Sequence, residues 1–250
     1  MALQRPRRPQ FFYTTAPLPC PYLPGRTERK VVTELAGPGA EALHDRLSRA
    51  GFRRSHNIAY APVCPGCRAC VPIRILAQAF RPNRTQRKLL RRLPGLTIAR
   101  TGPRATAEQF ALFQRYQQAR HPEGDMAAMG FYDYRAMVED TPISTSVIEF
   151  RNPAGALIGA CLTDWLGDGL SAVYSFYAPE EPGLGTLAIL WLVEEARRIG
   201  LPYVYLGYWV EGSRKMGYKS VFRPAEILRD GQWRLLGAPA GEEAALTPAE

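Results

Sequence analysis

No stretch of this chain is long and apolar enough to cross a bilayer. The longest uninterrupted run, Leu187 to Val193, falls far short of the roughly 18 residues a membrane helix needs and leads straight into Glu194 and Glu195. A secretory leader is also lacking, since Arg5, Arg7 and Arg8 are followed by Pro9 and Phe11 without a continuous apolar segment or a small-residue cleavage site. These absences lead us to expect a cytoplasmic protein with no membrane partner, taken as a monomer by default. Acidic residues are scarce, 23 against 32 Lys and Arg, and the resulting formal charge of +9 favours a polyanionic partner or an acidic substrate. Cysteines number five, and in a reducing compartment they are expected as thiols or metal ligands rather than disulfides. There is no internal repeat, no low-complexity tract, and no Ser, His and Asp order that suggests a catalytic triad. What is present, 46% apolar and 22% charged residues in a chain of 250, can bury a proper core in one large or two ordinary domains.

Residues 1 to 24, rich in Pro and aromatics, read as an irregular arm. Ala40, Leu43, Leu47 and Ala50 recur at helical spacing and Gly51 supplies a stop; Ile58 to Pro62 then leads into a Cys-rich turn, with an extended piece through Ile73, Ile75 and Phe80. A basic stretch follows over 81 to 104, broken by Pro94 and Gly95, and the domain boundary is expected near residue 100. Beyond it, Thr106 and Gln109 have capping-box spacing for a helix to about Arg120, and a second helix covers Tyr132 to Glu139. Three strands follow as an antiparallel meander over Thr145 to Phe150, Leu157 to Thr163 and Leu170 to Tyr177. An apolar helix from about Thr186 to Ile199 and the aromatic strand Tyr203 to Trp209 then imply a parallel crossover. The expected class is α+β: an N-terminal Cys-containing α/β region over 1–100, a domain over 101–236, and a flexible tail over 237–250 rich in Pro, Ala and Glu.

Cys64, Cys67 and Cys70 stand three apart around Gly66, so three thiolates can converge on one point. Cys20, flanked by Pro19 and Pro21, is the natural fourth, which makes Cys20, Cys64, Cys67 and Cys70 candidate ligands for structural Zn or an iron-sulfur cluster. Free thiols in a surface turn would fit the same residues. Cys161 falls within a strand and is expected in the core.

Pro182-Gly183-Leu184-Gly185-Thr186 joins a strand to a helix, where backbone N–H groups can meet an anion or a polarised carbonyl, so Gly183, Gly185 and Thr186 are the candidate acyl-donor loop. The region resembles the GNAT-like acyltransferases. Their loop places Gln or Arg where this chain has Glu180 and Glu181, and two carboxylates beside a pyrophosphate repel it, which argues against coenzyme A.

Taken together, Cys20-Pro-Tyr-Leu-Pro24, Gly51-Phe-Arg-Arg-Ser55, Tyr60-Ala-Pro-Val-Cys64 with Cys67 and Cys70, Pro72-Ile-Arg74, Asn83-Arg-Thr-Gln-Arg-Lys88, Tyr116-Gln117 with His121, Val173-Tyr-Ser-Phe-Tyr177, Leu184-Gly-Thr186, Tyr205-Leu-Gly-Tyr208, Lys215-Met-Gly-Tyr-Lys219 and Phe222-Arg-Pro224 resemble the aminoacyl-tRNA protein transferases. The likeness is to the bacterial aspartate/glutamate leucyltransferases related to eukaryotic arginyltransferases, and it spans most of the chain. It implies transfer of leucine from leucyl-tRNA to proteins that begin with Asp or Glu, marking them for N-degron degradation. No cofactor is needed for that chemistry, because the donor is already an activated ester and the enzyme has only to position an amine against it. Tyr174, Tyr177 and His121 are the implied catalytic candidates. Arg54, Arg74 and Lys215 are candidates to read the acidic acceptor, since rejecting Asn or Gln requires a charge left unpaired in the site. Arg84, Arg87, Lys88, Arg91 and Arg92 are the expected tRNA contacts. Two rivals share parts of this pattern: a coenzyme A-dependent N-acetyltransferase, and a metal-containing RNA-binding module without catalysis.

Overall fold

The computed structural model describes residues 9–213 and 215–237; the expected tail lies outside these residues beyond position 237. The first part of the chain carries β1 (Tyr13–Thr14), β2 (Leu18–Pro19), β3 (Thr27–Glu28), β4 (Lys30–Glu34), α1 (Ala40–Arg49), β5 (Arg53–Ser55) and β6 (Ile58–Pro62). These give a four-stranded antiparallel sheet in the order β1-β4-β6-β5, beside the short β2-β3 pair. Helix α1 forms where the helical spacing predicts and buries Ala40 and Leu47; Leu43 is half-buried and Ala50 exposed, while His44 and Ser48 complete the buried face.

Then come β7 (Val71–Leu76), α2 (Arg84–Leu90), β8 (Thr97–Thr101), α3 (Ala107–Arg120), α4 (Phe131–Glu139), β9 (Thr145–Arg151), β10 (Leu157–Leu166) and β11 (Gly169–Tyr177). The chain ends with α5 (Leu184–Arg198), β12 (Tyr203–Trp209), β13 (Ala225–Arg229) and β14 (Gln232–Leu235). One eight-stranded sheet runs β14-β13-β7-β12-β11-β10-β9-β8. The boundary expected near residue 100 therefore does not separate two cores. It falls within β8, and β7, from the N-terminal half, is hydrogen-bonded between β12 and β13. Binary patterning could not reveal this, because period-2 alternation assigns a strand a face and no neighbour.

The meander β9-β10-β11 and the parallel β11-α5-β12 crossover both form as the sequence predicts. Helix α3 starts at the expected capping box: Thr106 Oγ1 accepts from the Gln109 N–H at 3.1 Å and Gln109 Oε1 accepts from the Thr106 N–H at 3.1 Å. Helix α5 packs Leu187, Leu190, Leu192, Val193 and Ala196 into the main core, which also takes in Cys161.

One departure from regular pairing positions the site. Strands β11 and β12 pair only over Gly169↔Tyr203, Leu170↔Val204 and Ser171↔Tyr205, although β11 continues to Tyr177 and β12 to Trp209. Irregularities flank the point of separation, between Leu162 and Thr163 opposite β11 and between Tyr205 and Gly207 on the β7 side of β12. Beyond Ser171 the two parallel strands open a gap in the middle of the sheet.

Candidate active site and basic groove

Arg53 fills the gap. Its Nη2 donates to the carbonyls of Ala172 at 2.9 Å and Val173 at 3.1 Å, which β11 can no longer offer to β12. On the other side its guanidinium lies against Gly207, at φ +79°, where a Cβ would come within 1.4 Å of Nη1. Lys219, 8% exposed, reaches the same stretch of β12, its Nζ donating to Tyr208 O at 2.6 Å. Burial, and next the Arg53 charge, push the Lys219 ammonium down to about 7.

The expected catalytic residues converge at the far end of this gap. Tyr116 on α3 packs against Tyr177 with ring centroids 4.9 Å apart and against His121 at 5.9 Å, so the ring of Tyr116 joins two of the three. Tyr174 accepts from Gln117 Nε2 at 2.5 Å, and burial pushes its phenol up to about 12. His121 is held below its ordinary pKa by partial burial and by the cations Lys215 and Arg120. Lys215 is exposed and belongs to this neighbourhood. The acyl-donor loop touches it as well: a Cβ on Gly185 would lie 2.6 Å from the Tyr177 ring, so glycine there lets the first turn of α5 sit on that tyrosine.

Two of the expected acceptor-reading cations are placed elsewhere. Arg54 is engaged by Asp164 through Nε at 2.8 Å and Nη2 at 2.7 Å, and both side chains are buried. Arg74 pairs with Glu226 at 2.7 Å and stacks its guanidinium 3.5 Å from the Tyr203 ring centroid and 4.1 Å from that of Trp233. Each has its carboxylate already, which corrects the expectation that they offer free charge to a substrate. Reasoning from sequence passed over Arg53 and Lys219. A strand sends neighbours to opposite faces, so one of Arg53 and Arg54 had to face inward and the other the sheet joint, but nothing in Gly51-Phe-Arg-Arg says which. Gly207, an isolated glycine inside an aromatic strand, was the available signal of close approach by another group.

The basic stretch folds into α2, with a capping box between Asn83 and Gln86. Arg84, Thr85, Arg87, Lys88 and Arg91 line one surface concavity of about 870 Å³, and none of its four cations is in an ion pair among the described residues. Arg92 is set apart from them. It pairs with Glu181 at 2.6 Å and donates to Pro182 O at 2.7 Å, tying α2 to the acyl-donor loop, and this corrects its assignment as a tRNA contact. Glu180 is paired with Arg115. Both carboxylates at the loop are thus neutralised, so the repulsion that argued against a pyrophosphate there is offset. Gln86 also donates to Val221 O at 3.3 Å, linking α2 to the turn that carries Lys219.

The four cysteines gather. Cys70 is pushed up to about 11 by burial and then by Cys20, Cys64 and Cys67, in that order. Cys64 Sγ accepts from the Arg29 N–H at 3.3 Å, and Gly66, at φ +66°, turns the loop so that the Cys67 N–H donates to Cys64 O at 3.2 Å. Among the described residues, however, no group of three or more His, Cys, Asp or Glu side chains is arranged to hold a metal ion. No step below runs through a metal. No helix among the described residues is long and apolar enough to cross a membrane.

An open strand pair lined by tyrosines, tied through a helix-capping loop to a cationic groove, suits a transferase whose donor carries a polyanion. The chain belongs to the arginine-tRNA-protein transferase family: the model of the family's N terminus matches residues 18–88 and that of its C terminus residues 108–229. It is 65% identical over 231 residues to a protein of Granulibacter bethesdensis named aspartate/glutamate leucyltransferase, covering 92% of this chain and 86% of that one. A protein of the same name from Gluconacetobacter diazotrophicus is 63% identical, with 93% and 90% covered. Another from Paramagnetospirillum magneticum is 59% identical, with 91% and 94% covered. Among solved structures FemX aligns at a TM-score of 0.49 and 12% identity over 77% of this chain and 67% of that one, a likeness too distant to bear on function.

Proposed function

We propose that this chain transfers leucine from leucyl-tRNA to the α-amine of proteins beginning with Asp or Glu, marking them for degradation, on a central sheet of GNAT-like type. The observation that carries the reading is the junction of the α2 groove with the opened β11-β12 pair through the loop at Gly183. There a nucleic acid laid along Arg84, Arg87, Lys88 and Arg91 would bring its acylated end to Tyr177. The shared name of relatives at 59–65% identity supports the same donor and acceptor.

The chemistry asks little of the protein. The acceptor amine attacks the ester carbonyl carbon, and a C–N bond forms as the C–O bond to the terminal ribose breaks. The ammonium proton passes to a base, which returns it to the ribose oxygen as that oxygen departs as a hydroxyl. An α-amine of pKa about 8 is partly neutral at pH 7, so positioning supplies most of the rate. Tyr174, with Gln117 donating to its oxygen, keeps its own proton free to give to the developing oxyanion. His121, held neutral near pH 7 by burial and its cationic neighbours, suits the part of proton acceptor.

Coenzyme A-dependent acetyl transfer stands as the second reading, favoured by the neutralised carboxylates at the loop. Radiolabelled leucyl-tRNA and acetyl-CoA, each offered with Asp-, Glu-, Asn- and Arg-initiated peptides, decide between them. Leucine on the Asp and Glu peptides alone is the expected result. Acetylation with no leucine transfer overturns it.

A further inference from the structure

The described chain holds two adjacent cations that have no anion. Arg53 donates only to the carbonyls of Ala172 and Val173, and Lys219 only to the carbonyl of Tyr208; neither is in an ion pair among the described residues. They reach consecutive residues of β12, with the Arg53 guanidinium against Gly207 and the Lys219 ammonium on Tyr208 O. Every other buried cation outside this gap has a carboxylate: Arg54 has Asp164 and Arg74 has Glu226. The buried Lys219 ammonium and the half-buried Arg53 guanidinium lose hydration and repel each other, which is what pushes Lys219 down to about 7, and folds normally avoid that cost by pairing. One anion placed between them removes both penalties. A neutral amide in the same place leaves both, and that difference is a means of discrimination.

We infer that Arg53 and Lys219 form the cationic seat for the side-chain carboxylate of the acceptor's N-terminal Asp or Glu. The inference rests on the aminoacyl transfer proposed above and deepens it by naming what reads the acceptor. The place fits the task. Arg53 holds the carbonyl of Val173, the residue before Tyr174 on β11, so a carboxylate on the pair would leave its own α-amine toward the tyrosines of that strand.

The test is acceptor choice. In Lys219→Met and Arg53→Gln, kcat/KM for an Asp-initiated peptide should fall roughly 100-fold, as the loss of a charge-assisted contact implies. Transfer to the matching Asn-initiated peptide should fall far less, so that the Asp-to-Asn ratio of kcat/KM collapses, and leucyl-tRNA binding should stay as in the wild type. Lys219→Arg, which keeps the charge, should restore most of the preference for Asp. Equal losses on both peptides, or an undiminished preference in both variants, overturn the seat while leaving the proposed transfer intact. A wild-type protein that moves no leucine at all overturns the transfer instead. Should the variants fail to fold, lysine-labelled wild-type protein titrated with Asp-Ala-Ala and Asn-Ala-Ala decides by NMR. A lysine ε-carbon signal that moves with the acidic peptide alone supports the seat, and the same response to both refutes it.

Discussion

His44 shows how a single buried side chain makes the fold acid-sensitive. It sits on the inner face of α1, 3% exposed, with Nε2 3.7 Å from Asp164 Oδ2 and 3.4 Å from Ser48 Oγ. Burial pushes its pKa below 6.5; the Asp164 carboxylate pulls the other way, but its charge is already shared with Arg54, which adds to the depression. In the unfolded chain this imidazole takes a proton near pH 6.5, whereas the folded chain refuses it until lower pH. The stability it contributes is therefore complete above that value and is lost as pH falls through the folded pKa, at a slope of at most about 1.4 kcal/mol per pH unit. Urea unfolding at pH 7.0 and 5.5 should show a smaller drop for His44→Gln than for the wild type. Equal drops would place the acid sensitivity in other residues.

At the scale of one element, α2 shows how the same run of residues serves packing and charge. Asn83 and Gln86 close its N-terminus, Leu89 packs against Gly183, and four cations are left facing one concavity. If that face tracks a tRNA backbone, Arg87→Ala with Lys88→Ala should weaken leucyl-tRNA binding and lower the slope of log K against log salt by about 2, one for each phosphate no longer neutralised. Filter binding at several salt concentrations reads both quantities, and an unchanged slope would remove the groove from the tRNA path. Elements marked by periodicity or by a cap are legible in the amino-acid order alone: α1, α3, α4, α5, the meander and β12 lie where spacing, the Thr106 box and the Gly200-Pro202 stop put them. Short strands such as β5, β8 and β13 are not, since three to five residues carry too little alternation to stand out. The site divides in the same way. Tyr174, Tyr177, His121 and the α2 cations could be marked because whole motifs carried them, whereas the partners of Arg54, Arg74 and Arg92 lie 110, 152 and 89 residues away and no local pattern shows them.

For the molecule as a whole, the consequence is that its two larger sheets meet at the candidate active site. Arg54 of β5 clasps Asp164 of β10, which Thr145 Oγ1 also reaches at 2.9 Å, while the Tyr208 hydroxyl lies 2.9 Å from Gly51 O and 3.0 Å from Tyr60 O. Arg53, one residue from Arg54, bridges from β5 to the opened edge of β11. The ion pair that joins the sheets and the cation pair assigned to the acceptor are thus adjacent in sequence and opposite in direction. Breaking the first should cost stability without altering choice. Arg54→Met strands a buried Asp164 carboxylate and should destabilise by about 3–5 kcal/mol, and the added change Asp164→Leu should recover much of that, since a buried ion pair replaced on both sides by apolar groups is often neutral. Thermal melts followed by circular dichroism measure the loss and the recovery. The folded fraction of Arg54→Met should still prefer Asp- over Asn-initiated peptides as strongly as the wild type does. A collapse of that preference would mean that Arg54 shapes acceptor recognition through Arg53, and that the sheet joint and the reading of the substrate are one device.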